Sequence, residues 1–190
     1  ERVGLIIVRL YRPFSAKYFA RVIPATAKRI AVLDRTKEPG AVGEPLYTDI
    51  KAAIAELGLN IKVVGGRYGL SSKDTSPAQI LSVYDNLKAK EIKNDFTIGI
   101  VDDVTFKSLP MREEISLAKA GTVECKFYGL GSDGTVGANK NTIKIIGGST
   151  PKYCQAYFDY DSKKSGGYTC SHLRFGDAPI TSPYLVSTPD

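Results

Sequence analysis

The sequence has no tryptophan, one methionine, one histidine (His172) and three cysteines, Cys125, Cys154 and Cys170. With a single histidine, no Ser-His-Asp or Cys-His site is assigned, and His172, beside Ser171 in a strand-like context, reads as a hydrogen-bonded structural residue. The cysteines are odd in number and lie far apart in apolar surroundings. They therefore read as reduced packing residues rather than a disulfide framework or a metal cluster, which points to a reducing, intracellular setting. No apolar run approaches the roughly 20 residues that cross a bilayer, and no charged-then-apolar signal opens the chain, so no membrane is expected. A basic tract is missing too. Although the net charge is +6 and the pI about 9.1, the basic residues are scattered without interleaved aromatics, so anionic small molecules fit better than nucleic acid.

What remains is an ordinary globular composition, 43% hydrophobic and 24% charged over 190 residues, enough for one large domain or two small ones. Residues 3–10 form a continuous apolar run of the kind buried on both faces of a parallel sheet. Ser15 is placed as an N-cap, with Phe14 and Phe19 as a hydrophobic staple. Residues 28–34 read as a strand. A helix then opens with Pro45 and carries Leu46, Ile50, Ala53, Ile54 and Leu57 on one stripe up to Gly58. Residues 61–64 give another strand, and Ser76-Pro77-Ala78-Gln79 combines an N-cap, a first-turn proline and a capping-box Gln before a helix with Ile80, Tyr84 and Leu87 inward. Residues 96–101 supply a further strand. This alternation predicts an α/β fold with a doubly wound parallel sheet over about residues 1–110. Residues 102–120 are charged, contain Pro110 and read as a linker.

The second unit opens on a strand, with Val123, Cys125 and Phe127 alternating, followed by a glycine cluster at Gly129, Gly131, Gly134 and Gly137. Ile143 and Ile146 then recur at helical spacing. Strand, glycine loop and helix together outline a phosphate cradle, because glycines admit close approach and the helix N-terminus favours an anion. Gly129-Leu130-Gly131-Ser132-Asp133-Gly134 matches G-x-G-x-x-G in that context. A dinucleotide site also asks for an acidic residue about 20 positions on, and Asp159 and Asp161 lie late for that role. Next comes Ser162-Lys163-Lys164-Ser165-Gly166-Gly167, between strands at residues 153–160 and 168–175. In a doubly wound unit this turn would lie beside the glycine loop and offer lysines to a second phosphate, as coenzyme A or NADP would require. The bland reading is a packing turn with solvated lysines. Two or three strands and one helix leave much of a parallel sheet uncovered, which predicts a piece of something longer. The loops after the second and third strands, with Arg35, Lys37, Glu38 and Arg67, are expected to serve an interface with neighbouring domains.

Several strings resemble one family. These are Leu10-Tyr11-Arg12-Pro13-Phe14-Ser15, Val32-Leu33-Asp34-Arg35-Thr36-Lys37-Glu38-Pro39-Gly40, Gly43-Glu44-Pro45-Leu46-Tyr47 and Gly65-Gly66-Arg67-Tyr68-Gly69-Leu70-Ser71-Ser72-Lys73. With residues 129–140 and 161–167, they resemble pyruvate:ferredoxin (flavodoxin) oxidoreductase. The resemblance implies most of a second domain similar to the transketolase C-terminal domain over residues 1–115, and the incomplete start of a third, coenzyme A-associated domain over 116–190. It further implies a parent that oxidatively decarboxylates pyruvate to acetyl-CoA and CO2. That parent would use thiamine diphosphate, Mg2+ and [4Fe-4S] clusters and pass electrons to ferredoxin or flavodoxin. A homodimer in the cytoplasm, or in a reducing anaerobic organelle such as a hydrogenosome, is implied as well. This chain shows no properly spaced thiamine motif and no Cys-x-x-Cys series, so no catalytic residue is assigned to it and the isolated chain is expected to be inactive. The implied site residues are Gly129, Gly131, Ser132, Asp133, Gly134 and Asn139 toward the pyrophosphate, with Lys163, Lys164 and Ser165 toward the remaining phosphate. A structural interdomain module that binds nothing, and an NADP-binding reductase domain, stand as the alternatives.

Overall fold

A computed structural model of the chain describes residues 2–131, 133–161, 163 and 166–190. It divides into two compact units, Glu1–Glu113 and Glu114–Asp190.

The first unit is built on a parallel sheet of β1 (Arg29–Asp34), β2 (Lys62–Arg67) and β3 (Phe96–Thr97), in the order β1-β2-β3. Before β1 stands α1 (Ala16–Val22), where Ser15 accepts a hydrogen bond from the Tyr18 amide and the Phe14 and Phe19 rings meet at 5.9 Å. Cap and staple thus set the helix start as the sequence indicates. Between β1 and β2 lies α2 (Pro45–Glu56), and between β2 and β3 lies α3 (Pro77–Lys88), which opens on a complete capping box of Ser76 and Gln79.

Side chains alternate across β1, and the two faces bury different helices. Val32 joins Phe19, Tyr47, Ile50, Ala53 and Ile54 from α1 and α2. Ala31 and Leu33 point the other way, toward Val64, Val83, Phe96, Ile98 and Leu109, the cluster that α3 covers. Two glycines in β2 make room for the large rings. A Cβ on Gly65 would stand 2.8 Å from the Tyr47 ring, and one on Gly66 would collide with Phe96. Gly65-Gly66-Arg67 therefore belongs to the strand, and the loop begins only at Tyr68.

Three expectations change in this unit. Residues 3–10 form no strand and are exposed, with Leu5 79% and Leu10 74% accessible. An apolar β-branched run specifies burial only when a neighbouring strand pairs with it, and none does among the described residues. The strand expected over 96–101 stops at Thr97, after which Gly99 takes φ +70° and Val101 is 89% exposed. On α3 the buried face is carried by Ala78, Val83 and Asn86, while Ile80, Tyr84 and Leu87 are half-buried.

The second unit is a separate antiparallel sheet in the order β4-β6-β5, formed by β4 (Val123–Leu130), β5 (Tyr153–Tyr160) and β6 (Tyr168–Gly176). Helix α4 (Thr135–Ser149) joins β4 to β5. Because β6 pairs antiparallel with both neighbours, β4 and β5 run in the same direction with β6 between them, a split β-α-β unit. This replaces the parallel sheet expected for residues past 120. Residues 177–190 run back to the sheet. The Val186 amide donates to His172 Nδ1 at 3.1 Å, and Asp190 bonds with the backbone of Glu124 through its amide and its carboxylate.

Candidate functional site

In a split unit, the ends of β4 and β5 and the start of β6 share one edge of the sheet. The glycine loop leaves β4 at that edge, and the turn at 161–167 connects β5 to β6 there. The pairs Leu130↔Tyr168 and Tyr160↔Thr169 hold the two turns side by side. A direct bond also joins them: the Gly131 amide donates to the Gly167 carbonyl at 3.0 Å. The juxtaposition expected from a parallel doubly wound unit is thus present, reached by inserting β6 instead.

The glycine loop is shaped by one carboxylate. Asp133 accepts from the Leu130 amide at 2.9 Å and the Thr135 amide at 2.8 Å. The Thr135 amide and hydroxyl are the main causes that hold the Asp133 carboxyl below its ordinary range, so it is ionised at neutral pH. Gly134 forms the N-cap of α4 in the left-handed region at φ +86°, a conformation glycine adopts without strain. Gly129 is required by crowding, since a Cβ there would lie 2.6 Å from the Thr135 side chain.

A helix start leaves its first four amides without intrahelical partners. In α4, Asp133 takes that of Thr135, and Ala138 donates to Gly134. Among the described residues, the amides of Val136 and Gly137 have no hydrogen-bond partner, and they stand at the positive end of the helix dipole. Asn139, one turn further, is 5% exposed, and its Nδ2 is buried with no hydrogen-bond partner among the described residues. On the neighbouring turn Lys163 is exposed, its amide donating to Asp161 Oδ1 at 3.2 Å. Gly167 admits the close turn, because a Cβ would stand 2.7 Å from the Lys163 carbonyl. Ser132, Lys164 and Ser165 lie outside the described residues.

The structure thus sets the loop residues Gly129, Gly131, Asp133 and Gly134 beside the turn that carries Lys163, with Asn139 buried on α4. Sequence reasoning missed the anchoring role of Asp133 and Asp161. The readable signal was an Asp two positions before a helix start and another two before a turn lysine, the spacing at which a carboxylate bonds a nearby backbone amide. Asp159 stands on β5, with β6 separating that strand from β4, whereas the acidic residue of a dinucleotide site stands on the strand next to the glycine loop. His172 is 4% exposed, and burial pushes its pKa down, with the neighbouring Lys126 adding to the effect. With Nδ1 engaged as acceptor from Val186, it is a structural contact.

At the carboxyl edge of the first sheet the charges are already paired. Arg67 bonds Glu44 at 2.7 Å and Asp95 at 3.0 Å, and Lys107 also pairs with Asp95. Arg35 donates to the Gly69 carbonyl at 3.1 Å. Arg67 and Arg35 are therefore bonded within their own unit. Asp34 caps α2 through the Leu46 and Tyr47 amides, and burial raises its pKa despite those bonds. Among the described residues, no group of three or more His, Cys, Asp and Glu side chains is placed to hold a metal ion, and no helix is long and apolar enough to cross a membrane.

Two family models match the chain. Residues 1–80 match pyruvate:ferredoxin oxidoreductase core domain II, and residues 124–190 match the pyruvate ferredoxin/flavodoxin oxidoreductase model. Over the whole chain, the sequence is 63% identical to a pyruvate:ferredoxin oxidoreductase of Moorella thermoacetica and 57% identical to a pyruvate-flavodoxin oxidoreductase of Klebsiella pneumoniae. It is also 51% identical to a mitochondrial pyruvate dehydrogenase [NADP(+)] of Euglena gracilis. The chain spans 16% of the length of the first two relatives and 11% of the third.

Proposed function

The chain belongs to the pyruvate:ferredoxin and pyruvate-flavodoxin oxidoreductase family, and from that premise we propose that it supplies scaffold and part of a coenzyme A site to a longer enzyme. That enzyme converts pyruvate to acetyl-CoA and CO2 and passes electrons to ferredoxin or flavodoxin. Residues 1–115 act as the transketolase C-terminal-like domain and residues 116–190 as the start of the coenzyme A-associated domain. The enzyme works as a homodimer, in the cytoplasm or a reducing organelle.

The observation that carries this reading is the Gly131 to Gly167 hydrogen bond. It sets a helix N-terminus beside a lysine-bearing turn, and this juxtaposition at one sheet edge supports reading them as two places for anionic groups. Coenzyme A carries a pyrophosphate and a separate ribose phosphate, which match these two sites in number and charge. Gly129, Gly131, Ser132, Gly134 and the α4 amides would face the pyrophosphate. Asp133 holds the loop in shape, the unpartnered Asn139 Nδ2 would be a further donor, and Lys163, Lys164 and Ser165 would meet the remaining phosphate. The chain's own part is to bind and orient the acyl acceptor.

Thiamine diphosphate supplies the decarboxylation chemistry and [4Fe-4S] clusters the electron path in such an enzyme. The residues here do not fit those groups. Three cysteines fall short of the four thiolates that hold one cluster, and among the described residues no three His, Cys, Asp or Glu side chains gather. Those steps are assigned to segments outside this chain.

Titration calorimetry with coenzyme A, 3′-dephospho-coenzyme A and NADPH tests the site. Saturable coenzyme A binding is expected, weakened roughly 10-fold or more by Lys164→Ala and by loss of the ribose phosphate, the effect of removing one charge-assisted hydrogen bond. Preference for NADPH would overturn the reading. Absence of heat with every ligand would favour a purely structural module, the reading that the engagement of Asp133 with its own loop's amides supports.

A further inference from the structure

We propose that residues 101–107 form a preshaped docking knob that seats Val101, Val104 and Phe106 in an apolar socket on another part of the same, longer polypeptide. The proposal rests on the chain being one part of such a polypeptide, but not on the coenzyme A site.

Within six residues this turn presents three large apolar side chains to solvent: Val101 at 89%, Val104 at 80% and Phe106 at 73% exposure. Exposure of that kind in a mobile loop would carry little meaning, but this turn is bonded from within and from both sides. The Asp102 carboxylate accepts from the amides of Val104 at 3.2 Å, Thr105 at 2.9 Å and Lys107 at 3.1 Å, and from the Thr105 hydroxyl. The Asp102 amide donates to Ser108 Oγ, which in turn donates to the Ile100 carbonyl, both at 2.8 Å. Lys93 Nζ donates to the carbonyls of Phe106 at 2.9 Å and Ser108 at 3.2 Å. The base of the turn is tied to β3 through the Thr97 amide on the Lys107 carbonyl and the Leu109 amide on the Thr97 carbonyl.

Phe106 itself sits at φ +53°, a region that bulky residues rarely enter. A bulky ring in a disfavoured backbone well, held outward by so many bonds, is a side chain presented to a partner. Fixing the turn in advance removes the ordering cost that binding otherwise carries.

Two arguments identify the occupant. Three side chains cover an area on the order of a few hundred Å2, well short of the roughly 1,200 Å2 typical of stable association between separate chains. A covalently connected segment needs no such area, because its effective concentration is high. The relatives supply the material: the chain spans 16% of the Moorella thermoacetica protein, so most of a polypeptide of that length lies outside it. The knob also has an acidic flank in the exposed Asp103, so the matching socket is apolar with a basic rim.

The test uses the full-length enzyme with the photoreactive residue benzoylphenylalanine replacing Phe106. Irradiation is expected to leave the polypeptide at its original mass on a denaturing gel, while peptide mapping links position 106 to a segment outside these 190 residues. Asp102→Asn, which loosens the turn, should lower the yield of that link several-fold. A link between two polypeptides, a link confined to these 190 residues, or none at all would overturn the proposal. Hydroxyl-radical footprinting of the unsubstituted enzyme gives a second measurement: Phe106 is expected to be protected, and modification at the rate of an exposed phenylalanine counts against docking. Pyruvate turnover is followed in parallel, so that a missing link in an enzyme still making acetyl-CoA sinks the knob alone and leaves the preceding reading in place.

Discussion

The two units bury different chemistry. In residues 1–113 both apolar clusters lie against the parallel sheet, one with Phe19, Val32 and α2, the other with Phe96, Val64 and Val83 from α3. In residues 114–190 the central strand buries Ser171, His172 and Arg174 alongside Cys170 and Leu173. Arg174, 1% exposed, bonds Glu124 at 2.5 Å, Gln155 at 3.0 Å and the Tyr184 carbonyl at 2.6 Å, and its guanidinium lies 4.8 Å from the Tyr184 ring centroid. The Gln155 amide reaches the Ser182 carbonyl at 2.9 Å. Alternate residues of the final segment are thus tied down by hydrogen bonds from β5 and β6. Apolar packing is non-directional and accepts modest changes of shape, whereas a buried ionic lattice fixes one register for the segment it holds and fails when one partner is lost.

This contrast can be broken at its strongest points. Phe96→Ala removes a ring that is 0% exposed and is expected to destabilise the first unit by roughly 3–5 kcal/mol, read as a lower midpoint in chemical unfolding. Arg174→Ala should lower the second unit's stability by a similar ~3–5 kcal/mol, because Glu124 is left buried and unpaired. The two then diverge under repair. Glu124→Leu added to Arg174→Leu should recover much of the second loss, since an apolar pair carries no unmet charge. If the double variant is no better than the single one, the lattice is not the organising feature of the second unit.

The smallest effect concerns His172. Burial and the nearby Lys126 hold its pKa below the ordinary 6.5, with Asp159 opposing. Protonation of Nδ1 would also break the bond from Val186. The unfolded chain therefore takes up the proton first as pH falls. The contribution of His172 is complete above its unfolded value and is lost on acidification toward the lower folded value. Unfolding midpoints of the second unit, measured between about pH 7 and about pH 5.5, should show a shallower slope in His172→Asn, which keeps an acceptor for the Val186 amide. An unchanged slope would assign the acid sensitivity to other groups.

Local signals were legible where one short stretch contained both partners. The Ser15 cap with its Phe14 and Phe19 staple, the Ser76 and Gln79 capping box, and Pro45 opening α2 all stand in the structure as the sequence indicates. The strand, glycine loop and helix of residues 123–149 were equally readable. What failed was pairing. Residues 3–10 and 99–101 have strand-like composition but pair with no strand among the described residues, and β6 lies between β4 and β5 although nothing in its alternation states its direction. The inward turn of Arg67 was hidden for the same reason, because Glu44 and Asp95 are 23 and 28 positions away.

The sequence alone determined the family, the α/β class, the helix starts and the positions of the glycine loop and the lysine turn, because propensities, caps and motif strings act over a few neighbouring residues. The tertiary structure decided the rest. It set β6 between β4 and β5, closed the distance between Gly131 and Gly167, buried Arg174 among partners up to 50 positions away, and held Phe106 outward on a turn braced by Asp102 and Lys93. Each of these depends on contacts whose partners are remote in the chain, and only the folded arrangement brings them within bonding distance.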